Sequence, residues 1–141
     1  MTKMTARFMD IVKGAELMTG TTARVSPSMV PYQSRKPNRP LNEEYISAVQ
    51  ALGLQVNDKA RGGRGSSDFG NFSQVRPGVH AYFSISDREI PGHSLAFAQA
   101  AHSELGQVNM RKAAAAMAAV ACRYFTDQTF RQAVSEDFRQ A

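Results

Sequence analysis

Residues 110–125, "MRKAAAAMAAVACRYF", form the most regular stretch of this chain and decide the expected fold class. Apolar residues recur there at helical spacing over four turns, and Asn109 precedes them as an N-cap. The pattern predicts a long helix packed along one apolar face. The side chains predicted to point inward are Met110, Ala113, Ala114, Met117, Val120, Ala121 and Tyr124.

Other helices are predicted on both sides of this stretch. Apolar spacing from Phe8 to Met18 predicts a helix that ends at Gly20. A second helix is predicted to begin at the N-cap Asn42 and to end before Gly53. The same reasoning predicts a short helix from Leu95 to Gly106, and a last helix from Thr126 with Phe130, Val134 and Phe138 facing inward.

Two segments alternate between apolar and polar residues, as half-buried strands do. They are residues 21–26 and residues 77–86, "PGVHAYFSIS". Between them, residues 31–40 contain three prolines and predict an extended connector at a boundary between units. Strands alternating with helices over residues 41–141 predict an α/β layered fold.

Composition limits the classes of function. The 141 residues suit one ordinary domain, and Lys plus Arg exceed Asp plus Glu by 17 to 12, a net charge of +5. The basic residues cluster in loops without a nucleic-acid-binding pattern, so no nucleic-acid partner is expected. The single cysteine, Cys122, is predicted to be a small buried residue. Without a membrane-length apolar run or a signal peptide, we expect a cytoplasmic protein with no membrane contact.

The glycine- and serine-rich residues 63–75, "GRGSSDFGNFSQV", suggest a binding loop. They lack the lysine of a Walker-type phosphate loop and the second glycine of a G-x-S-x-G nucleophile elbow. Two interpretations stay open for Ser66 and Ser67. Their hydroxyls either tie down a turn or cap a short helix from Asp68 to Val75, or they contact a substrate.

The chain contains three histidines, His80, His93 and His102, which are too far apart for a finger-type metal pair. His102 lies on an apolar helix face and is predicted to be a packed residue. His93 stands in the loop "PGHS" between a predicted strand and a helix, where α/β proteins gather their ligands. Position therefore favours a functional role for His93, whereas His80 is equally consistent with either role.

Three stretches together resemble a known family: "GSSDFGNFSQVRPGVHAYFSI", "PGHSLAFAQAAHSELG" and "MRKAAAAMAAVACRYF". They are similar to the C-terminal part of metal-dependent amidohydrolases of the aminoacylase and glutamate-carboxypeptidase family. The nearest branch resembles the one that contains aminobenzoyl-glutamate hydrolase and related dipeptidases. Upstream, "FMDIVKGAELMTGTTARV" is similar to the last helix and strand of that family's inserted dimerisation, or lid, domain.

The resemblance implies an architecture. Residues 1–30 would be the end of an α+β dimerisation (lid) domain. Residues 31–141 would be the closing lobe of a three-layer, zinc-exopeptidase-like catalytic domain. A homo-oligomer is implied as well.

The resemblance also implies a chemistry. His93 would ligate one of two divalent metals, zinc or manganese, and the substrate pocket would include Ser66, Ser67, Asp68, Asn71 and His80. In such enzymes the metals activate a water, a glutamate takes its proton, and the hydroxide attacks an amide carbonyl. The substrate would be an N-acyl amino acid, a dipeptide or an aminobenzoyl-glutamate-like compound.

The family's remaining metal ligands and its general-base glutamate lie upstream of the region that this chain resembles. We therefore expect a C-terminal fragment of an amidohydrolase that is inactive by itself and does not hold the metal alone. The alternative is a non-catalytic interaction or binding module, including one that complements a second chain.

Overall fold

The computed structural model describes residues 2–57 and 67–141, and helices are the regular secondary structure in these ranges. The chain divides into two compact units, Met1–Pro31 and Tyr32–Ala141. The helices are α1 (Thr2–Thr19), α2 (Arg39–Ala51), α3 (Phe69–Val75), α4 (Leu95–His102), α5 (Glu104–Thr126) and α6 (Gln128–Gln140).

The first unit consists of α1 and the segment that follows it. Gly20 ends the helix with φ +65°, a left-handed conformation that glycine adopts without steric cost, and this confirms the predicted helix end. Beyond it, the backbone N–H of Ala23 donates to Glu16 Oε1 at 2.7 Å. Large apolar side chains of α1 are exposed, among them Met4, Phe8, Ile11, Leu17 and Met18.

The predicted α/β class, with its lid-domain strand, is wrong for the part of the chain that the structure describes, because no strand occurs there. Residues 21–26 and 77–84 lack regular secondary structure. Alternating side chains produce a strand only when a neighbouring backbone pairs with its N–H and C=O groups. In the first segment the Ala23 N–H donates to the Glu16 side chain instead. In the second segment the Ser84 carbonyl accepts from the side-chain amide of Asn109 at 2.9 Å.

The core of the second unit lies where α2, α5 and α6 pack together. The C-terminal helix is confirmed, with Phe130 and Val134 buried and Phe138 half-buried, but it begins at Gln128 after the N-cap Asp127, because Thr126 still belongs to α5. Burial also raises the pKa of the Tyr45 hydroxyl. The buried residues of this core are Leu41, Tyr45, Val49, Ala116, Val120, Phe130 and Val134.

A set of polar contacts on Arg123 links the same three helices. This side chain of α5 pairs with Glu44 of α2 and lies 3.4 Å from Oδ2 of Asp127, the N-cap of α6. Its guanidinium also lies over the Phe130 ring at 4.8 Å. The hydrogen bond from the Phe130 backbone N–H lowers the pKa of the Asp127 carboxyl, and the Arg123 guanidinium lowers it further.

The start of α2 differs from the predicted one. Asn38, not Asn42, is the N-cap: its Oδ1 accepts from the Leu41 N–H at 3.2 Å, and Pro40 occupies the first turn. Asn38 is fully buried, and its Nδ2 donates to the Val134 carbonyl of α6 at 3.0 Å. One side chain therefore caps α2 and fastens the proline-rich connector to α6.

The start of α5 also differs. Ser103 caps the helix by accepting from the Gly106 N–H at 3.1 Å, so Gly106 lies in the first turn of α5 and does not end the preceding helix. The predicted cap Asn109 is a buried residue inside α5. Ser103 follows directly on α4, and the two helices pack against each other.

The helix predicted from residues 110–125 is present, but the buried face is partly a different one. Ala113 and Val120 are buried as predicted, whereas Met110 and Met117 are 50% and 62% exposed. The single cysteine, Cys122, is also exposed, which corrects its predicted burial. Among the described helices, none is both long and apolar enough to cross a membrane. The buried positions of α5 are Gly106, Asn109, Ala113, Ala116 and Val120.

Candidate functional site

His93, the candidate metal ligand, lies in the turn before α4 and is exposed. Its backbone has φ +56°, the left-handed region that residues other than glycine seldom occupy. Ser94 fixes the turn: its hydroxyl donates to the Pro91 carbonyl at 2.7 Å and accepts from the Phe97 N–H at 3.1 Å. In the described parts of the chain no hydrogen bond holds the imidazole, so it is presented to solvent.

The second candidate region is the segment before and within α3. Ser67 accepts from the Phe69 N–H at 3.2 Å and lies 3.3 Å from Asp68 Oδ1. Asp68 is the N-cap residue, although its side chain makes no cap hydrogen bond. The turn-forming role considered for these serines is therefore observed for Ser67. Ser66 lies outside the described residues.

Asn71 lies on the side of α3 that holds the connector. Its Oδ1 accepts from the Gln33 N–H at 3.1 Å. The buried Ser73 hydroxyl accepts from the Lys36 N–H at 2.9 Å, and Gln74 Nε2 donates to the Ser34 carbonyl at 2.7 Å. The side chains of Asn71, Ser73 and Gln74 thus fix the backbone of residues 33–36 on α3.

Gly70 lets this contact form. A Cβ atom at this position would lie 1.9 Å from the Gln33 carbonyl oxygen, well inside any permitted contact. The connector backbone therefore reaches α3 only because residue 70 has no side chain. The sequence motif "DFGNFSQ" consequently has a structural use whatever else it contacts.

His80 lies in a row of aromatic rings. Its imidazole is 4.7 Å from the Phe69 ring and 5.0 Å from the Tyr82 ring, measured between centroids. Phe72 continues the row at 5.6 Å from Phe69. His80 Nδ1 also lies 3.3 Å from a guanidinium nitrogen of Arg35 in the connector.

The structure brings some candidates together and leaves others apart. His80 joins the α3 segment through Phe69, whereas no hydrogen bond or ring contact of the described residues joins His93 to that segment. His102, predicted to be packed, is exposed at the end of α4. Arg35 was not predictable as a partner of residue 80, because it lies in an irregular basic loop where neither periodicity nor a motif marks such a contact.

Side chains that could bind a metal do not cluster in the described ranges. Across residues 2–57 and 67–141, no three His, Cys, Asp or Glu side chains lie close enough to hold a metal ion. A catalytic metal needs about three protein ligands. His93 and its described surroundings therefore do not make up a metal centre.

An open hollow of about 560 Å³ lies between the loop at residues 85–90 and α4. Its walls carry the charged side chains Asp87 and Arg88 and the polar side chain Gln99. None of the candidate site residues in the described parts of the chain lines it. The hollow is thus separate from both His93 and the aromatic row.

Comparison with known proteins finds two curated sequences that are similar to this chain over nearly its whole length. The chain is 29% identical to human Xaa-Arg dipeptidase and 31% identical to mouse Xaa-Arg dipeptidase, over 96% and 97% of its length. The chain is similar to Xaa-Arg dipeptidase. It spans about a third of the length of these curated relatives, 32% and 31% respectively. No family model matches the chain.

Proposed function

We propose that this chain is the C-terminal part of a metal-dependent hydrolase that cleaves a peptide or amide bond. The observation that carries the proposal is the similarity to Xaa-Arg dipeptidase from two organisms, which extends over nearly the whole chain. It agrees with the resemblance of the motifs around Asp68 and His93 to metal-dependent amidohydrolases. A dipeptide is the favoured substrate class, ahead of an N-acyl amino acid or an aminobenzoyl-glutamate-like compound.

In this proposal His93 supplies one ligand to a zinc or manganese site. The geometry supports it: the imidazole is exposed, and its residue adopts a left-handed backbone that costs roughly 1–2 kcal/mol outside glycine. Strain of this kind accumulates at functional sites. When bound, the metal would lower the pKa of a water and polarise the scissile carbonyl.

For the other residues of the site we propose only a general location, at the border of the substrate pocket. Ser66, Ser67, Asp68, Asn71 and His80 are proposed to border the substrate pocket, and the general base and remaining metal ligands to come from residues outside this chain. Because His93 and the described residues around it do not make a metal centre, this chain alone is proposed to be inactive.

The two units are proposed to have separate roles. Residues 1–30 would be the end of a dimerisation (lid) domain, and residues 31–141 part of the catalytic domain, in a cytoplasmic homo-oligomer. The exposed apolar side chains of α1, such as Phe8 and Ile11, support an association role for the first unit. Light scattering of the purified chain tests this association directly.

A chimera tests the proposed function. The region of mouse Xaa-Arg dipeptidase that aligns with this chain is replaced by this chain, and hydrolysis of an Xaa-Arg dipeptide is measured with and without a chelator. We expect metal-dependent hydrolysis by the chimera and none by the chain alone. In the chimera, His93→Ala should reduce kcat/KM by at least about a hundredfold, because loss of even an outer partner of a metal ligand typically costs about 10–100-fold in metal affinity or activity and loss of the ligand itself should cost at least as much.

His102→Ala is the matched control, because it also removes an exposed histidine near α4 and should leave hydrolysis unchanged. A folded chimera without activity would refute the assignment of this chain to the hydrolase. An active chimera that tolerates His93→Ala would refute the role of His93 alone.

The second candidate function is a non-catalytic interaction module, and the exposed apolar side of α5 favours it. Met110 and Met117 are 50% and 62% exposed on this helix, together with Phe125 at 77%. Under this reading the folded chimera is inactive, while the chain still forms a stable complex with a protein partner.

A further inference from the structure

The segment that follows α3 is a stretch of backbone without a partner strand. Residues 78–84, called the open segment below, contain no turn or bend, and from residue 79 onward their side chains alternate between apolar and polar. No backbone N–H or C=O group of residues 79–83 is hydrogen-bonded to a residue that the structure describes. The open segment therefore resembles an edge strand whose backbone groups are available for pairing.

Contacts with the rest of the second unit hold the open segment at both ends. Val79 packs against the core of α2, α5 and α6, and His80 contacts the Phe69 ring of α3. At the other end, the Ser84 carbonyl accepts from Asn109 Nδ2 of α5 at 2.9 Å. Because both ends are held, pairing costs less conformational entropy than it would in a free loop.

Between these ends the open segment is exposed and uncharged. Ala81, Tyr82 and Phe83 are all exposed, Tyr82 at 75% and Phe83 at 40%. Edge strands that stay single usually carry charged side chains or a proline, which discourage pairing. The seven residues of the open segment contain no Asp, Glu, Lys, Arg or Pro. Its valine, tyrosine and phenylalanine favour strand formation.

The open segment is complementary to itself when two copies run antiparallel about Ala81. Val79 of one copy then lies opposite Phe83 of the other, and both side chains point to the same face of the pair. His80 lies opposite Tyr82 on the second face. Aromatic residues paired across strands with β-branched or aromatic residues stabilise antiparallel sheets, and no like charges meet in this register.

The other alternating segment, residues 21–26, is a poorer partner for the open segment. Its Ala23 N–H already donates to Glu16 Oε1 at 2.7 Å. Arg24 would also bring a charge into the pair. A second copy of the open segment has neither disadvantage.

We propose that two copies of this chain pair through their open segments as a two-stranded antiparallel sheet centred on Ala81. Two strands alone are marginal in water, but each open segment also lies against α3 of its own copy through His80. The interface has two-fold symmetry, because the same residues meet in both copies. It goes beyond the proposed function, since it involves neither substrate nor metal, and it is separate from the association proposed for α1.

Disulfide cross-linking of the full chain tests the register. Cys122 is exposed, so Cys122→Ser is the background. Ala81→Cys then places two thiols opposite each other, with Cα atoms about 4.5–5.5 Å apart and within disulfide range. Tyr82→Cys is the matched control, because the same register separates its Cα atoms by roughly 8 Å although residue 82 is 75% exposed.

Under a mild oxidant, Ala81→Cys should form a covalent dimer at least about tenfold faster than Tyr82→Cys, whose thiols meet only if the strands slide. Equal rates in the two variants would overturn the proposal, because random collisions favour neither position. Absence of cross-linking in Ala81→Cys would overturn it as well.

Hydrogen exchange measured by NMR tests the pairing without added cysteines. Backbone N–H groups at every second residue of the open segment should exchange slowly, because alternate residues face the partner strand. Ala81→Lys sets two like charges opposite each other and should abolish this protection. Met117→Lys is the matched control, since it adds the same charge to the exposed side of α5 and should leave the protection unchanged.

Circular dichroism at 222 nm checks that both lysine variants keep their helices. An unprotected open segment in the unaltered chain would overturn the proposal and leave this edge to a strand of a different protein. Protection that survives Ala81→Lys in the folded chain, or that is lost in Met117→Lys, would overturn it too. These outcomes do not depend on whether the chimera is active, because no substrate is cleaved.

Discussion

Replacing Gly70 with alanine is expected to detach the connector from α3. The added Cβ would lie 1.9 Å from the Gln33 carbonyl oxygen and 2.8 Å from its carbon, whereas ordinary contact begins at 3.4 Å. The obstacle is backbone and cannot rotate away. Residue 33 must therefore move by more than 1 Å, and the connector moves with it.

The size of the effect follows from the contacts that this movement breaks. Three hydrogen bonds join the connector to α3, through Asn71, Ser73 and Gln74. Each contributes about 0.5–1.5 kcal/mol net, so their loss costs roughly 2–4 kcal/mol. Alanine returns about 1 kcal/mol through its higher helix propensity. The expected net destabilisation is about 1–3 kcal/mol, or about 4–12 °C in Tm for a unit of this size.

Urea denaturation followed by circular dichroism at 222 nm measures this change. Gly14→Ala is the control, because Gly14 is also helical and a Cβ there meets nothing within 4 Å. That variant should be as stable as the unaltered chain or slightly more stable. If Gly70→Ala were equally harmless, the close approach of the connector to α3 would be refuted.

Two further predictions concern the starts of helices. Asn38→Ala removes the cap of α2 and the donor to the buried Val134 carbonyl, so it should lower the free energy of unfolding by about 2–4 kcal/mol, whereas Asn42→Ala should cost less than about 0.5 kcal/mol. Equal urea midpoints for the two variants would contradict the capping assignment. The backbone N–H of Phe130 lowers the pKa of Asp127, so this carboxylate stabilises the fold above its ordinary pKa, and the contribution disappears as the pH falls below about 4. Asp127→Asn should make stability decline less steeply with acid, and an unchanged pH profile would count against this contribution.

Local patterns in the sequence predicted most of the helices. The first helix, the helix before Gly53, and the last two were expected from apolar spacing and terminal glycines, which act within a few residues of the chain. Their starting points were less predictable. Asn38 and Asn42 are both good N-caps by residue type, and Asn38 is used because it also reaches the Val134 carbonyl 96 residues away.

The candidate site was also predictable in part, where the signal lies in neighbouring residues of the sequence. His93 stands out in the sequence because a glycine and a serine flank it in a loop, and the structure shows a fixed turn that exposes it. The pairing of Arg35 with His80 has no counterpart in the sequence pattern. It results from two segments that pack separately on α3, which neither segment specifies alone.

The sequence by itself determined that residues 110–125 are helical, since alanine favours a helix in almost any surroundings. It did not determine which side of that helix is buried, because alanine and methionine make several sides similarly apolar. Packing against α2 and α6 made that choice: it buried Ala116 and left Met117 exposed. The same holds for the segments expected to be strands, because alternation specifies two faces but a strand requires a paired neighbour, which the described part of the chain does not offer.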